Sequence, residues 1–197
     1  MAIKYTNPYG DSSFESFNKE NAAFVDKTEF IKVIDELDTK YPVLLRPRRF
    51  GKTTFVKMLL CFYDISYKDK YDEIFKGTKI HEMNLPSHNT YHVIKFDFSG
   101  VSGDNAKDLI FNFNQKLSVG INKFLKRYPD FKFNNDYTGR APANFIDEFF
   151  KAFDTQYKDK SLYILIDEYD NFANDVLSND RDLFKTITQS NGFLKDF

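Results

Sequence analysis

The sequence predicts an α/β fold in which helices flank a parallel sheet, and three observations lead to that prediction. Apolar strand candidates alternate with amphipathic helix candidates along the 197 residues. The connections between the strand candidates contain helices, which favours parallel pairing. Two of the strands run directly into polar residues, so we expect a ligand at the carboxyl ends of the strands.

Three strands are predicted, at residues 41–45, 91–96 and 161–166, because each run is apolar and rich in β-branched or aromatic residues. The run 91–96 is typical of a strand that is buried on both faces. Residues 68–86 and 128–140 are more polar and are predicted to be connections, the first of them with a helical turn.

The helices are predicted from apolar residues that recur at helical spacing. The first of these helices begins at Thr28 as N-cap and ends near residues 38–40, and two shorter helices are expected near Phe14 and near Leu183. The apolar positions are Phe30, Ile31, Ile34 and Leu37; Phe55, Met58, Leu59 and Phe62; Leu109, Ile110, Phe113, Leu117, Ile121 and Phe124; Phe145, Ile146, Phe149, Phe150 and Phe153; and Leu183, Phe184 and Ile187.

Composition narrows the class of protein. A net charge of −1, from 28 basic and 29 acidic residues, argues against a surface devoted to nucleic acid, although a local basic site stays open. No apolar run is long enough to span a bilayer and no secretion signal is evident, so we expect a cytoplasmic protein without a membrane partner. The single cysteine, Cys61, excludes an intrachain disulfide and is expected to be buried.

Residues 41–54 run from an apolar strand through Gly51-Lys52-Thr53 into a helix, which predicts a phosphate site. In the pattern G-x-x-x-x-G-K-[ST], the second glycine lets the backbone approach, the lysine reaches the β- and γ-phosphates, and the hydroxyl binds Mg²⁺. The first N–H groups of such a helix lack internal partners and attract an anion. Arg46 stands where this pattern has its first glycine, so an ordinary basic loop remains the alternative.

The strand 161–166 leads directly into Asp167 and Glu168. A carboxylate at the end of such a strand can hold the shell of Mg²⁺, and the next one can orient and polarise an attacking water. For these two residues alone, the alternative is an acidic strand exit. Together with the Gly-Lys-Thr loop, they predict an ATP site that depends on magnesium.

Three blocks of sequence carry a resemblance to a known family. They are residues 24–28 (Phe-Val-Asp-Lys-Thr), 46–53 (Arg-Pro-Arg-Arg-Phe-Gly-Lys-Thr) and 165–170 (Leu-Ile-Asp-Glu-Tyr-Asp). The chain resembles the AAA-ATPase-like family of mostly bacterial proteins, from about residue 5 to the end. Arg46 belongs to that family's own version of the loop. Such proteins are often fused to a C-terminal PD-(D/E)XK-type nuclease domain.

The resemblance implies a P-loop NTPase-type sheet and a role for each site residue. Lys52 contacts the β/γ-phosphates and Glu168 activates water, so these two are the expected catalytic residues. Thr53 and Asp167 support Mg²⁺. Asp26 is expected near the base or sugar of the nucleotide, with a helix cap as the alternative. The nucleotide-binding set is Asp26, Arg49, Phe50, Gly51, Lys52, Thr53 and Thr54.

The resemblance also implies that the sheet is incomplete. A later strand of such sheets lies between the phosphate-loop strand and the carboxylate strand, and the chain stops at Phe197 before that strand. We therefore expect a lead-in with a helix at 1–40 and a core at 41–197, truncated at its C-terminus. Either the strand of Leu45 pairs with that of Ile164, or a protein partner or second copy fills the gap.

Three functions follow from these residues. The first is Mg-dependent ATP binding with weak hydrolysis at most, and the second is a nucleotide-dependent interaction or regulatory module without significant turnover. The third, a phosphotransferase acting on a small substrate, is disfavoured because Glu168 beside Asp167 suits water activation.

His88 and His92 straddle a loop and a strand, so their spacing does not predict a metal centre, and both are expected to be exposed or at a strand edge. Asp97 is expected to be a polar residue at a strand end.

Overall fold

The computed structural model describes residues 14–15, 25–45, 47, 50–103 and 105–169. The chain divides into two compact units, Met1–Val93 and Ile94–Phe197, and the division falls within the first strand. Among the described residues, no helix combines the length and apolar character that a membrane span requires. The predicted helix near Leu183 lies outside the described residues.

The described part of the first unit is mostly helical. Its helices are α1 (Glu29–Asp35), α2 (Lys52–Tyr63), a 3₁₀-helix (Ile65–Lys70), α3 (Tyr71–Phe75) and α4 (Lys79–Met83). Phe14 and Glu15 are also helical. The helices predicted after Thr28 and after Gly51 are therefore confirmed, and Thr28 precedes α1 as predicted.

The buried face of α2 carries the apolar stripe that the sequence predicts. Phe55, Met58, Leu59 and Phe62 are all buried, and Cys61 is buried as a free thiol. Phe62 meets the ring of Phe75 edge to face at 5.8 Å between centroids. Such aromatic contacts fix α2 against α3, so the connection 68–86 is more ordered than predicted.

The predicted strand 41–45 is wrong in this structure, because these residues form no strand and the two-stranded sheet contains only β1 and β2. Their side chains are exposed, with Tyr41 at 85% and Leu45 at 78%. Of the two alternatives for the gap in the sheet, the pairing of the strand of Leu45 with that of Ile164 is therefore not formed. An apolar run gains strand structure only from a hydrogen-bonded neighbour, and local sequence does not supply one.

The second unit carries the sheet and two long helices. Its elements are β1 (His92–Asp97), which begins before the division, α5 (Ala106–Arg127), α6 (Pro142–Gln156) and β2 (Leu162–Asp167). The two strands form a parallel sheet, as predicted for strands joined by helices. The sequence therefore predicts both strands of the observed sheet and both long helices, as well as the connection 128–140.

Phenylalanine dominates the core of the second unit. Phe124 on α5 meets Phe149 on α6 edge to face at 5.3 Å, and Phe98 stacks on Phe113 at 4.5 Å. Gly120 on α5 lies against β1: a Cβ there would be 2.8 Å from the backbone oxygen of Lys95. This close approach seats α5 directly on the strand.

Candidate functional site

Gly51 makes the turn that opens α2. Its φ of 78° and ψ of 26° lie in the left-handed region, which glycine enters without the steric penalty of a Cβ. The N–H of Phe50 donates to the oxygen of Pro47 at 3.4 Å just before this turn. The predicted loop-to-helix transition is therefore formed at the Gly-Lys-Thr tripeptide.

The N-terminus of α2 has the properties of an anion site. In the described part of the chain, no side chain caps this 12-residue helix, and Lys52, Thr53 and Thr54 occupy its first turn, each half-buried. Among the described residues, no ion pair or hydrogen bond holds the side chain of Lys52. Uncapped N–H groups, a helix dipole and an available ammonium together favour a phosphate.

Asp26 and Thr28 bind the start of α4. The carboxylate of Asp26 accepts hydrogen bonds from the N–H of Thr28 at 2.8 Å and of Lys79 at 2.9 Å. The hydroxyl of Thr28 accepts from the N–H of Ile80 at 3.1 Å. Thr28 therefore makes no side-chain cap on its own helix, α1, and the pair instead caps a helix some fifty residues further along the chain.

Asp167 ends β2 as a buried carboxylate that holds a cation. Its Oδ2 lies 3.2 Å from Nζ of Lys95 on β1, and the two side chains are only 4% and 14% exposed. The backbone oxygen of Asp167 accepts from the N–H of Phe98 at 3.1 Å, which extends the pairing of the strands. The carboxylate is thus fixed at the carboxyl end of the sheet.

Glu168 follows in an unusual backbone conformation. Its φ is 56°, in the left-handed region that residues other than glycine rarely adopt. Its side chain is half-buried. Residues held in this region cluster at functional sites, where the surrounding structure supports the strain.

Asp97 is the last residue of β1. Burial raises the pKa of its carboxyl, but hydrogen bonds from the Ser99 hydroxyl and N–H and the ammonium groups of Lys95 and Lys116 outweigh burial and lower the pKa. The prediction of a polar strand-end residue is confirmed. Of the two histidines His88 and His92, His92 is buried and therefore not exposed, but it begins β1, which is an edge strand of the two-stranded sheet. His88 is half-buried and stacks on Tyr71 at 4.2 Å.

The residues predicted to support magnesium offer suitable donors. Thr53 presents a hydroxyl in the first turn of α2, and Asp167 presents a carboxylate that already binds a positive charge. Oxygen ligands of this kind are what Mg²⁺ takes in proteins, usually together with several waters and substrate phosphates. Each of the two donors is therefore of a kind that magnesium accepts.

The structure places the predicted site residues in two sets. Phe50 to Thr54 lie together at the start of α2 in the first unit, and Asp167 and Glu168 follow each other after β2 in the second. Arg49 lies outside the described residues. Sequence reasoning missed Lys95, although the signal was available: a lysine inside a strand that is buried on both faces needs an acidic partner.

Comparison with known proteins gives one match. A family model described as Predicted AAA-ATPase matches residues 8–197. No curated protein and no solved structure matches the chain. The family match spans nearly the whole chain, including the Gly-Lys-Thr loop and the pair Asp167 and Glu168. The chain therefore belongs to the AAA-ATPase-like family.

Proposed function

We propose that this chain is a Mg-dependent ATP-binding domain that hydrolyses ATP weakly at most. The observation that carries the proposal is the uncapped N-terminus of α2, which follows a left-handed Gly51 and bears Lys52 and Thr53. Membership of the AAA-ATPase-like family supports a nucleotide as the anion. In this proposal Lys52 binds the β- and γ-phosphates, and the N–H groups of the first turn bind their oxygens.

The remaining residues divide the chemistry between them. The oxygens of Thr53 and Asp167 hold Mg²⁺, which when bound neutralises charge on the phosphates. Glu168 orients the water that attacks the γ-phosphate. Arg49, Phe50 and Thr54 complete the loop. Asp26, which caps α4, has a structural role within the first unit.

Lys95 competes with magnesium for Asp167 and so lowers the occupancy of the metal that hydrolysis requires. With Lys95 at 3.2 Å, the carboxylate is engaged before any magnesium arrives. Binding without significant turnover suits the alternative function, a nucleotide-dependent interaction or regulatory module. In that function the bound nucleotide orders a surface for a protein partner or a second copy.

Thermal melting with and without Mg·ATP tests the proposal, because a ligand that binds only the folded state stabilises it by mass action. At a ligand concentration about 100 times the Kd, the stabilisation is about 2.7 kcal/mol. We expect this shift in the wild type and its loss in Lys52→Ala. Lys57→Ala, which truncates a lysine further along α2, should retain it. A well-folded wild type without a shift would overturn the proposal.

Hydrolysis is tested separately with Glu168→Gln. This variant should bind Mg·ATP as the wild type does and should release less phosphate. Turnover by the wild-type chain at rates typical of enzymes, about 1 per second or more, would contradict the weak-hydrolysis part of the proposal.

A further inference from the structure

Lys95 and Asp167 form a buried ion pair in the second unit, at the carboxylate that the proposed function assigns to magnesium. Nζ of Lys95 lies 3.2 Å from Oδ2 of Asp167, and the side chains are 14% and 4% exposed. Little water screens charges at such positions, so each strongly affects any third charge nearby. A divalent cation approaching Asp167 would meet the ammonium of Lys95 as a like charge.

A second carboxylate is available to the same lysine. Asp97 lies two residues beyond Lys95, and side chains with that spacing share one face of a strand. The two groups interact electrostatically, and Ser99 keeps the Asp97 carboxylate oriented through its N–H at 3.0 Å. An ammonium displaced from Asp167 therefore retains an acidic partner on its own strand.

We propose that Lys95 is a positioning residue. In the nucleotide-free protein its ammonium pairs with Asp167, where magnesium would otherwise bind, and when magnesium binds the ammonium pairs with Asp97 instead. The inference rests on the proposed function. Lys95 then sets the magnesium concentration at which nucleotide is bound, and it protects a buried carboxylate from remaining unpaired in the free protein. Asp97 acts on magnesium only through Lys95.

The test is a magnesium titration at a fixed concentration of a fluorescent ATP analogue, mant-ATP, followed by its fluorescence. Lys95→Met removes the competing charge, so half-saturation should fall to about one fifth or less of the wild-type magnesium concentration, a typical size for such coupling. Lys95→Arg restores the charge and should return half-saturation toward the wild-type value. Lys151→Met, which removes an ammonium from an exposed pair with Asp147, should leave it unchanged.

Substitution of Asp97 tests whether this residue acts on magnesium only through Lys95. Asp97→Asn removes the second acceptor and should raise half-saturation, whereas Asp97→Asn combined with Lys95→Met should match Lys95→Met alone. If the double variant needs more magnesium for half-saturation than Lys95→Met alone, Asp97 contacts magnesium directly, and its assigned role is overturned. If Lys95→Met does not fold, Lys95→Gln removes the charge and keeps a hydrogen-bond donor for Asp167.

The outcomes separate this inference from the proposed function. If mant-ATP binding by the wild type does not depend on magnesium, both are overturned. If the wild type depends on magnesium and Lys95→Met has the same or a higher half-saturation, only the role of Lys95 is overturned.

Discussion

The carboxylate of Asp26 accepts a hydrogen bond of 2.9 Å from the backbone N–H of Lys79, the first residue of α4. With Thr28, which binds the N–H of Ile80, it caps a helix that is distant in sequence. The family block Asp26-Lys27-Thr28 thus ties α1 to α4 within the first unit. The sequence suggested a cap as the alternative to a nucleotide contact, and the structure shows a cap on another helix.

Asp26→Ala should lower the free energy of unfolding by about 1–2 kcal/mol, because two backbone N–H groups lose their partner. Urea denaturation measures this loss. Asp38→Ala, at an exposed position after α1, should change stability by less than about 0.5 kcal/mol. An Asp26→Ala protein of wild-type stability that no longer binds nucleotide would instead support a direct contact.

Asp26 should also contribute to acid unfolding. Burial raises the pKa of its carboxyl, but the N–H of Lys79, the N–H and hydroxyl of Thr28 and the Lys79 ammonium outweigh burial, so the pKa is below its ordinary value. A depressed folded-state pKa contributes stability that is present above the unfolded-state pKa and is lost as pH falls through the folded-state pKa. Asp26→Asn should therefore reduce the loss of stability below about pH 4, measured by urea denaturation from pH 6 to 2.5. An unchanged pH profile would contradict this.

Gly51 and Gly77 form a matched pair for testing the phosphate loop. Their φ values are 78° and 80°, and a Cβ at either position would meet no atom of the described residues within 4 Å. Replacement by alanine should therefore destabilise each variant by a similar amount, about 1 kcal/mol, through backbone strain alone. Only Gly51→Ala should weaken Mg·ATP binding, measured by mant-ATP fluorescence. Equal loss of binding in both variants would show that stability, not the loop, controls affinity.

Gly120 should respond to alanine with the opposite sign from an ordinary helical glycine. Gly→Ala within a helix usually stabilises by about 1 kcal/mol. At Gly120 the new Cβ would lie 2.5 Å from Cδ1 of Phe96 and 2.8 Å from the oxygen of Lys95, so α5 or β1 must shift. We expect Gly120→Ala to destabilise by about 1–3 kcal/mol in urea denaturation. Val119→Ala, at an exposed position on α5, serves as the control, and a stabilised Gly120→Ala would contradict the packing.

The amphipathic helices and the two strands of the sheet were predictable because their patterns report burial directly. The apolar positions of α2, α5 and α6 repeat at helical spacing, and most of them are buried. Residues 41–45 show where this reasoning fails. Their composition suits a strand, but a strand also requires a neighbour, and that requirement is not encoded locally.

The candidate site was predictable in its residues and not in their partners. The Gly-Lys-Thr motif locates the left-handed turn at Gly51, since the backbone there favours glycine. The motif says nothing of Lys95, because its partner Asp167 is 72 residues away in sequence. The partner of Asp26 was also not predictable. Asp26 caps α4, and the sequence predicted that helix only as part of a connection.

Glu168 should be a residue at which function opposes stability. At a φ of 56°, a side chain other than glycine costs about 1–2 kcal/mol, so Glu168→Gly should leave the free energy of unfolding unchanged or raise it by up to about 1 kcal/mol. The same change at Asp159, whose φ is 62°, should have a similar effect on stability. In phosphate-release assays, Glu168→Gly should lose the hydrolysis that the wild type shows and Asp159→Gly should keep it. If Glu168→Gly is clearly destabilised, the side chain is needed for the fold, and the left-handed backbone is no sign of a catalytic role.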